Sequence, residues 1–241
     1  MPMIAGSGAE AIQTSHWLGW ADEDYIAARL LLLRGQVVQG TVLAVTAVEK
    51  YLKAVCALSG IPCRKVGHDV SELNGLLHNR AIRLELNTDF LRLLNKAYKL
   101  RYPDELAEGF NVALNSIAVL IQLDVTVERI RRGFHFSRNG RATTNRIEQA
   151  LKAQSPELLT KNCVFGNTTK EGLFAEPSWC YELRVFPNQG IMEVLYGVEK
   201  LTGEDNFLRQ AMTPIDGSEG RSFNLAWLPM QEKPSQEVQA K

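Results

Sequence analysis

The chain has no net charge to act with: Lys plus Arg and Asp plus Glu number 27 each in 241 residues. That balance excludes a global field drawing the protein to nucleic acid or anionic lipid, so any such affinity has to come from a local patch. Cysteine is sparse. Cys56, Cys63, Cys163 and Cys180 are too scattered for a disulfide framework, and no C-x-x-C pair exists to start a zinc site. No segment reaches the ~18 continuous apolar residues of a membrane span. In the N-terminal MPMIAGSGAE no Lys or Arg precedes a hydrophobic run. A phosphate-cradling glycine loop, a metal-ligand cluster and a nucleophile elbow are missing as well. Together these absences predict a reduced, cytoplasmic, unexported protein with no cofactor, no metal and no membrane association.

What is present is a helical front half. With 45% hydrophobic residues against 22% charged, the chain can build a real core. From His16 to Arg34, Trp17, Trp20, Ala21, Ala28, Leu31 and Leu32 form an inner stripe at helical spacing, with Asp22, Glu23, Arg29 and Arg34 mostly off it and Gly35 as the stop. A second helix, about Val37 to Ser59, carries two adjacent apolar rows, Ala44, Ala47, Tyr51, Ala54, Leu58 and Val45, Val48, Leu52, Val55, before Gly60-Ile61-Pro62 ends it. Glu49 and Lys53 are four apart in the favourable order, worth ~0.3 kcal/mol on an exposed face. Asp69-Val70-Ser71-Glu72 has capping-box spacing for a third helix, and Thr88 or Asp89 can cap a fourth, broken near Pro103. A last helix is predicted over about Asp104 to Arg132 on the spacing of Ala107, Phe110, Leu114, Ile117, Ile121 and Val125. It would be ~40 Å long, more than a compact bundle needs, so part of it is expected to pack against a second chain, giving a homodimer, or against the C-terminal region.

Composition changes after Gly133. Residues 129–146 hold six arginines and no acid, an exposed basic connection in which Arg131, Arg132, Arg138 and Arg141 are candidates for nucleic-acid contact, with Phe134 and Phe136 interleaved for stacking. Thr143 or Thr144 can cap a short helix ending by Pro156. Beyond it the period becomes two: Trp179, Tyr181, Leu183 and Val185 alternate with Cys180, Glu182, Arg184 and Phe186, Pro187-Asn188-Gln189-Gly190 is a turn, and Ile191 to Tyr196 returns as a partner strand. Phe223 to Leu228 is a further strand candidate. The fold class is therefore α+β, divided into a flexible N-terminus (1–14), an up-and-down helical bundle (15–133), the basic connection (134–146), a small α+β or β-rich region (147–230) and a polar tail (231–241).

Several of these features occur together in a specific order: Trp20-Ala21 through Asp24-Tyr25 and Ala27-Ala28, then Ala47-Val48-Glu49-Lys50-Tyr51-Leu52-Lys53-Ala54, then Gly67-His68-Asp69 with Leu73, then Tyr98 with Arg101-Tyr102-Pro103-Asp104. In this order residues 16–132 resemble the HEPN domain, the helical module named for higher eukaryotes and prokaryotes nucleotide-binding. The resemblance implies a bundle of four or five helices, dimerisation, and association with a nucleotide, RNA or a nucleotidyltransferase partner in defence and toxin–antitoxin settings. It also implies where catalysis would sit. The ribonuclease branch carries Arg, four to six residues, then His near the start of the last core helix, the His moving a 2′-hydroxyl proton and the Arg stabilising charge on the phosphate. Arg101 stands where that arginine is expected, but Tyr102 to Glu108 contain no His. A second match, Arg129 with His135, falls at the far end of the helix.

The expectation that follows is a non-catalytic module binding a nucleotide, RNA or a protein partner. The alternatives are a metal-independent, toxin-like endoribonuclease using Arg129 and His135, or an assembly scaffold. Candidate ligand contacts are Lys50, Lys53, His68, Tyr98, Arg101, Tyr102 and Asp104. Each has a bland counterpart: Lys50 and Lys53 as a solvated helix face, His68 bonded to a nearby turn beside the capping Asp69, Arg101 and Asp104 as an internal ion pair, and the two tyrosines as bundle aromatics.

Overall fold

The structure is a computed structural model that describes residues 6 and 8–201, except 64, 139, 140, 143, 188 and 189. Helix α1 (Gly8–Leu33) and helix α2 (Val37–Leu58) form a hairpin. Each ends the same way. Gly35 (φ +75°) lets Gln36 N donate to Leu31 O at 2.9 Å, and Gly60 (φ +64°) lets Ile61 N donate to Cys56 O at 2.9 Å, so both glycines sit in the left-handed position of a Schellman stop. The two apolar rows of α2 are buried as their spacing predicts, Leu58 alone lying at the margin.

In α1 the stripe is rotated from the predicted one. Its buried residues are Thr14, Leu18, Ala21, Asp22, Tyr25, Ala28, Arg29 and Leu32, while Trp20 is 52% exposed. Hydropathy alone turns Asp22 and Arg29 outward; partners on α2 and on the last bundle helix instead neutralise them inside. The helix also begins at Gly8, within the stretch expected to be flexible.

Helix α3 (Val70–Asn79) is capped by Asp69, whose Oδ1 accepts from Glu72 N at 2.9 Å. Helix α4 (Thr88–Tyr98) is capped one residue earlier than predicted, Asn87 Oδ1 accepting from Asp89 N and Phe90 N.

The predicted long helix is a correction. Two single 3-10 turns, Lys99–Arg101 and Pro103–Glu105, lead into a short strand, β1 (Asn111–Asn115), and only then into helix α5 (Ser116–Arg131). The spacing of Phe110, Leu114 and Ile117 fits a helix, but Val112 and Leu114 also alternate, and pairing with a strand far along the chain decides for the extended form. Asn115 marks the switch. Its Oδ1 accepts from Ile117 N and Ala118 N at 2.9 and 3.0 Å, capping α5, while its Nδ2 donates to Ser178 Oγ at 2.9 Å. Thirteen of the sixteen residues of α5 are buried, so it is the central helix of the bundle. At ~24 Å it no longer overhangs, and the argument from helix length for a homodimer falls away.

After α5 come the two-residue strands β2 (Ser137–Arg138) and β3 (Arg141–Ala142) and the short helices α6 (Arg146–Lys152), α7 (Pro156–Leu159) and α8 (Lys170–Phe174). Asn145, rather than a threonine, caps α6 in a full capping box with Glu148. The predicted hairpin follows as β4 (Ser178–Phe186) and β5 (Gly190–Val198). β4 is the middle strand of a three-stranded antiparallel sheet ordered β1-β4-β5, with Val112 opposite Leu183 and Leu114 opposite Tyr181.

The fold is thus α+β, an N-terminal helical bundle with a small C-terminal sheet, but the core does not break near residue 133. Ile147, Leu158, Leu173, Tyr181, Leu183 and Val185 belong to the same buried cluster as the residues of α1 to α5. Among the described residues no helix is long and apolar enough to cross a membrane. The strand candidate Phe223–Leu228 and the tail 231–241 lie outside the described residues.

Candidate functional site

Four of the predicted contact residues meet at one end of the bundle. His68, just before the cap of α3, stacks on Tyr98 at the end of α4, with ring centroids 4.6 Å apart and planes 23° from parallel. One 3-10 turn on, the Arg101 guanidinium lies 5.1 Å from the centroid of Tyr98 and 5.7 Å from that of Tyr102, and its Nη1 donates to the Tyr98 hydroxyl at 3.2 Å. Arg101, Tyr102 and His68 are exposed, Tyr98 half-buried. The group is anchored from α2. His68 Nδ1 is 2.8 Å from Glu49 Oε2, and the other carboxylate oxygen of Glu49 accepts from Lys53 Nζ. Burial raises the Tyr98 phenol above its ordinary range, with Arg101 opposing, so it stays a neutral donor near pH 7.

The result is a cluster of three rings with one guanidinium among them. Such a cluster offers π-faces for planar groups and positive charge between them. Two hollows, of about 180 and 660 Å³, lie along residues 128–132 and 145–168, and neither is lined by a residue of this cluster.

The remaining predicted residues divide. Lys50 is half-buried on Asp24, 2.6 Å from Oδ2, so it braces α1 against α2 instead of joining the group. Asp104 is exposed in the next turn, and Arg101 is engaged with the two tyrosines instead of pairing with it. His68 bonds to Glu49 on α2, not to a neighbouring turn. Arg101 lies fifteen positions before the first residue of α5, not at its start, because β1 intervenes. Arg129 Nη1 donates to the carbonyl of Glu85, and His135 is exposed in the segment after α5.

Arg131 is the clearest correction. Its guanidinium is buried in an ion pair with Asp22 and lies 5.7 Å from the centroid of Tyr51, so it is withheld from any phosphate. Arg132 is open to solvent, 4.0 Å from Glu128. Arg138 and Arg141 pair through their backbones in the β2–β3 ladder.

Sequence reasoning missed the buried polar network. Tyr25 donates to Asp124 Oδ1 at 2.8 Å, Arg29 Nη1 pairs with Asp124 Oδ2, and Arg29 donates onward to the carbonyls of Glu157 (3.2 Å) and Thr160 (2.6 Å). Asn162 completes it, donating to Tyr25 and accepting from Val164 N and Phe165 N. Beside it Asp22 accepts from Tyr51 at 2.6 Å and from Arg131. Burial pushes Asp124 up to about 6, with Arg29 and Tyr25 pulling the other way, and raises Asp22 for the same reason against Arg131 and Tyr51. Asp22, Tyr25 and Arg29 recur at three- and four-residue spacing on one face of α1, the one sequence signal that could have shown them facing inward together.

An antiparallel helical hairpin, two further helices and a buried central helix, closed by a small sheet, define an α+β protein built on a HEPN-type bundle. Residues 14–129 match the family model described as the HEPN domain, and this part of the chain is a HEPN domain. The part after it is unassigned. No curated protein and no solved structure matches the chain.

Proposed function

We propose that the protein is a non-catalytic HEPN-type module that holds a nucleotide or RNA ligand against His68, Tyr98, Arg101 and Tyr102, with Lys53 behind them. One observation carries the reading: a guanidinium held between two tyrosine rings, with an imidazole stacked on the first, at an exposed end of the bundle. Base faces stack on such rings, and Arg101 supplies the charge for a phosphate.

Incubating the purified protein with labelled RNA and nucleotides tests both halves. Binding is expected without strand scission, and Arg101→Ala or Tyr98→Ala should weaken it about tenfold. Metal-independent cleavage that disappears in His135→Ala would overturn the reading in favour of an endoribonuclease.

A further inference from the structure

Strand β5 is an edge that no other strand closes among the described residues. It is the last strand in the order β1-β4-β5, and its ladder with β4 runs without a bulge from Ser178 opposite Val198 to Phe186 opposite Gly190. An edge strand presents a row of backbone N–H and C=O groups to any other extended chain, and proteins blunt such rows with short strands, lysines, prolines or bulges. β5 has none of these. It is nine residues long, without Lys, Arg or Pro, and its single charge, Glu193, accepts from the Tyr181 hydroxyl at 2.7 Å.

The side chains of β5 are open as well as its backbone. On β4, Tyr181, Leu183 and Val185 are buried in the common core, whereas Leu195 and Ile191, opposite Tyr181 and Val185 on the same face, are 55% and 46% exposed. Val194 and Tyr196, on the other face, are exposed too. A nine-residue edge with apolar side chains in water on both faces forgoes the stabilisation that cover would give.

The chain carries a segment of matching chemistry outside the described residues, at 223–228. There Phe223, Leu225 and Trp227 alternate with Asn224, Ala226 and Leu228, and no charge occurs from 222 to 231 to meet Glu193. β5 ends at Val198, and Leu201 N donates to Phe174 O at 2.9 Å, so the connection to this segment starts close to the strand's end. The 21 residues 202–222 can span at most ~70 Å, against ~30 Å for β5, which brings every position along the strand within reach. A covalent tether also sets an effective concentration of about a millimolar, above that of a second copy or a separate protein at micromolar concentration.

We propose that residues 223–228 pair with β5 as a fourth strand of the sheet. The open backbone row of β5 supplies the hydrogen bonds, and its apolar side chains give Phe223, Leu225 and Trp227 neighbours on whichever face they take.

Hydrogen–deuterium exchange of the full chain, read on peptides covering 190–198, tests the pairing, because an edge strand bonds its amides on one side only. About half of the β5 amides exchange quickly if the edge is open, and nearly all exchange slowly if it is paired. The parent protein should show the slow pattern. Leu225→Pro combined with Ala226→Pro should return about half of the β5 amides to fast exchange, since one of two successive N–H groups must face β5, while Gln236→Pro should change nothing. Trp227→Asp, which spares the backbone, should move the same amides part of the way. Unchanged exchange in α5 shows that the bundle of each variant is intact, and a synthetic peptide of residues 219–231 added in excess should restore slow exchange in the double variant. Fast exchange of half the β5 amides in the parent, or slow exchange kept in the double variant, overturns the pairing. Slow exchange that is lost on diluting the parent identifies a second copy as the occupant and overturns it as well.

Discussion

Burying Arg29 against Asp124 takes two charges out of water, and what compensates is the completeness of their bonding. Asp124 receives Tyr25 and Arg29, and Arg29 spends its remaining donors on two carbonyls of the chain beyond residue 156. Removing one partner leaves the other charged and unsatisfied, so Arg29→Met should cost about 3–5 kcal/mol in urea unfolding, far above the loss of a surface pair. Asp124 gives a second prediction. Its folded value of about 6 exceeds the ordinary 3.8, so the folded state binds the proton more tightly than the unfolded chain does. That contribution is complete below pH ~4 and is lost as the pH rises through ~6. Stability should therefore increase by about 1 kcal/mol on acidification from pH 7.5 to 5.5, seen as a melting temperature about 2–4 °C higher. Asp124→Asn, which cannot ionise, should remove that slope. A parent protein equally stable at both pH values would show that Asp124 titrates in its ordinary range.

At the scale of elements, Asn115 and Gly35 decide where helices begin and end. Asn115→Ala removes the cap of α5 and leaves buried polar partners on β4 unmet, so a loss of about 2–3 kcal/mol is expected in denaturant unfolding. Gly35→Ala acts differently. A Cβ there would come within 2.6 Å of Trp179 Cδ1, but that ring is 47% exposed and can swing aside. The left-handed backbone remains, at a cost of about 1–2 kcal/mol. If the ring matters, Trp179→Ala will reduce the effect of Gly35→Ala; if the backbone dominates, it will not. The same elements explain what the sequence could disclose. Stops at Gly35 and Gly60, the Asp69 cap, the rows of α2 and the β4–β5 hairpin are local chemistry, legible in a few neighbouring residues. β1 was not, because its conformation depends on a strand some seventy positions later. Of the candidate site, His68, Tyr98, Arg101 and Tyr102 stood among the residues singled out along the chain with Lys50, Lys53 and Asp104, but that these four meet was not legible, because it depends on how α2, α3 and α4 pack. Nor was the burial of Arg131, since nothing near it announces Asp22, 109 positions away.

For the whole molecule, the question is whether the HEPN bundle is a domain that the rest merely follows. The HEPN match ends at residue 129, yet the bundle's own strand β1 has its hydrogen-bonding partner in β4, and its buried Arg29 ends on carbonyls of residues 157 and 160. Six apolar side chains from beyond residue 133, from Ile147 to Val185, lie in the common core. Cutting the chain after residue 133 would therefore strip one side of α5, strand β1 of its ladder and Arg29 of two acceptors at once. Local helix propensity would survive this, because α1 and α2 keep their caps and their long mutual contact, but specific packing around α5 would not. The expected product is a fragment with much of its helical far-ultraviolet circular dichroism, no sharp thermal transition and strong binding of a hydrophobic dye, the marks of a loosely packed state. The full chain should melt in one cooperative step, with helix and sheet signals lost together. A fragment of residues 1–133 that unfolds as sharply as the full chain would show that the C-terminal segment is an addition to a self-sufficient bundle. The polar bridge of Tyr25, Arg29, Asp124 and Asn162 would then have to act after folding, in fixing where the C-terminal segment docks.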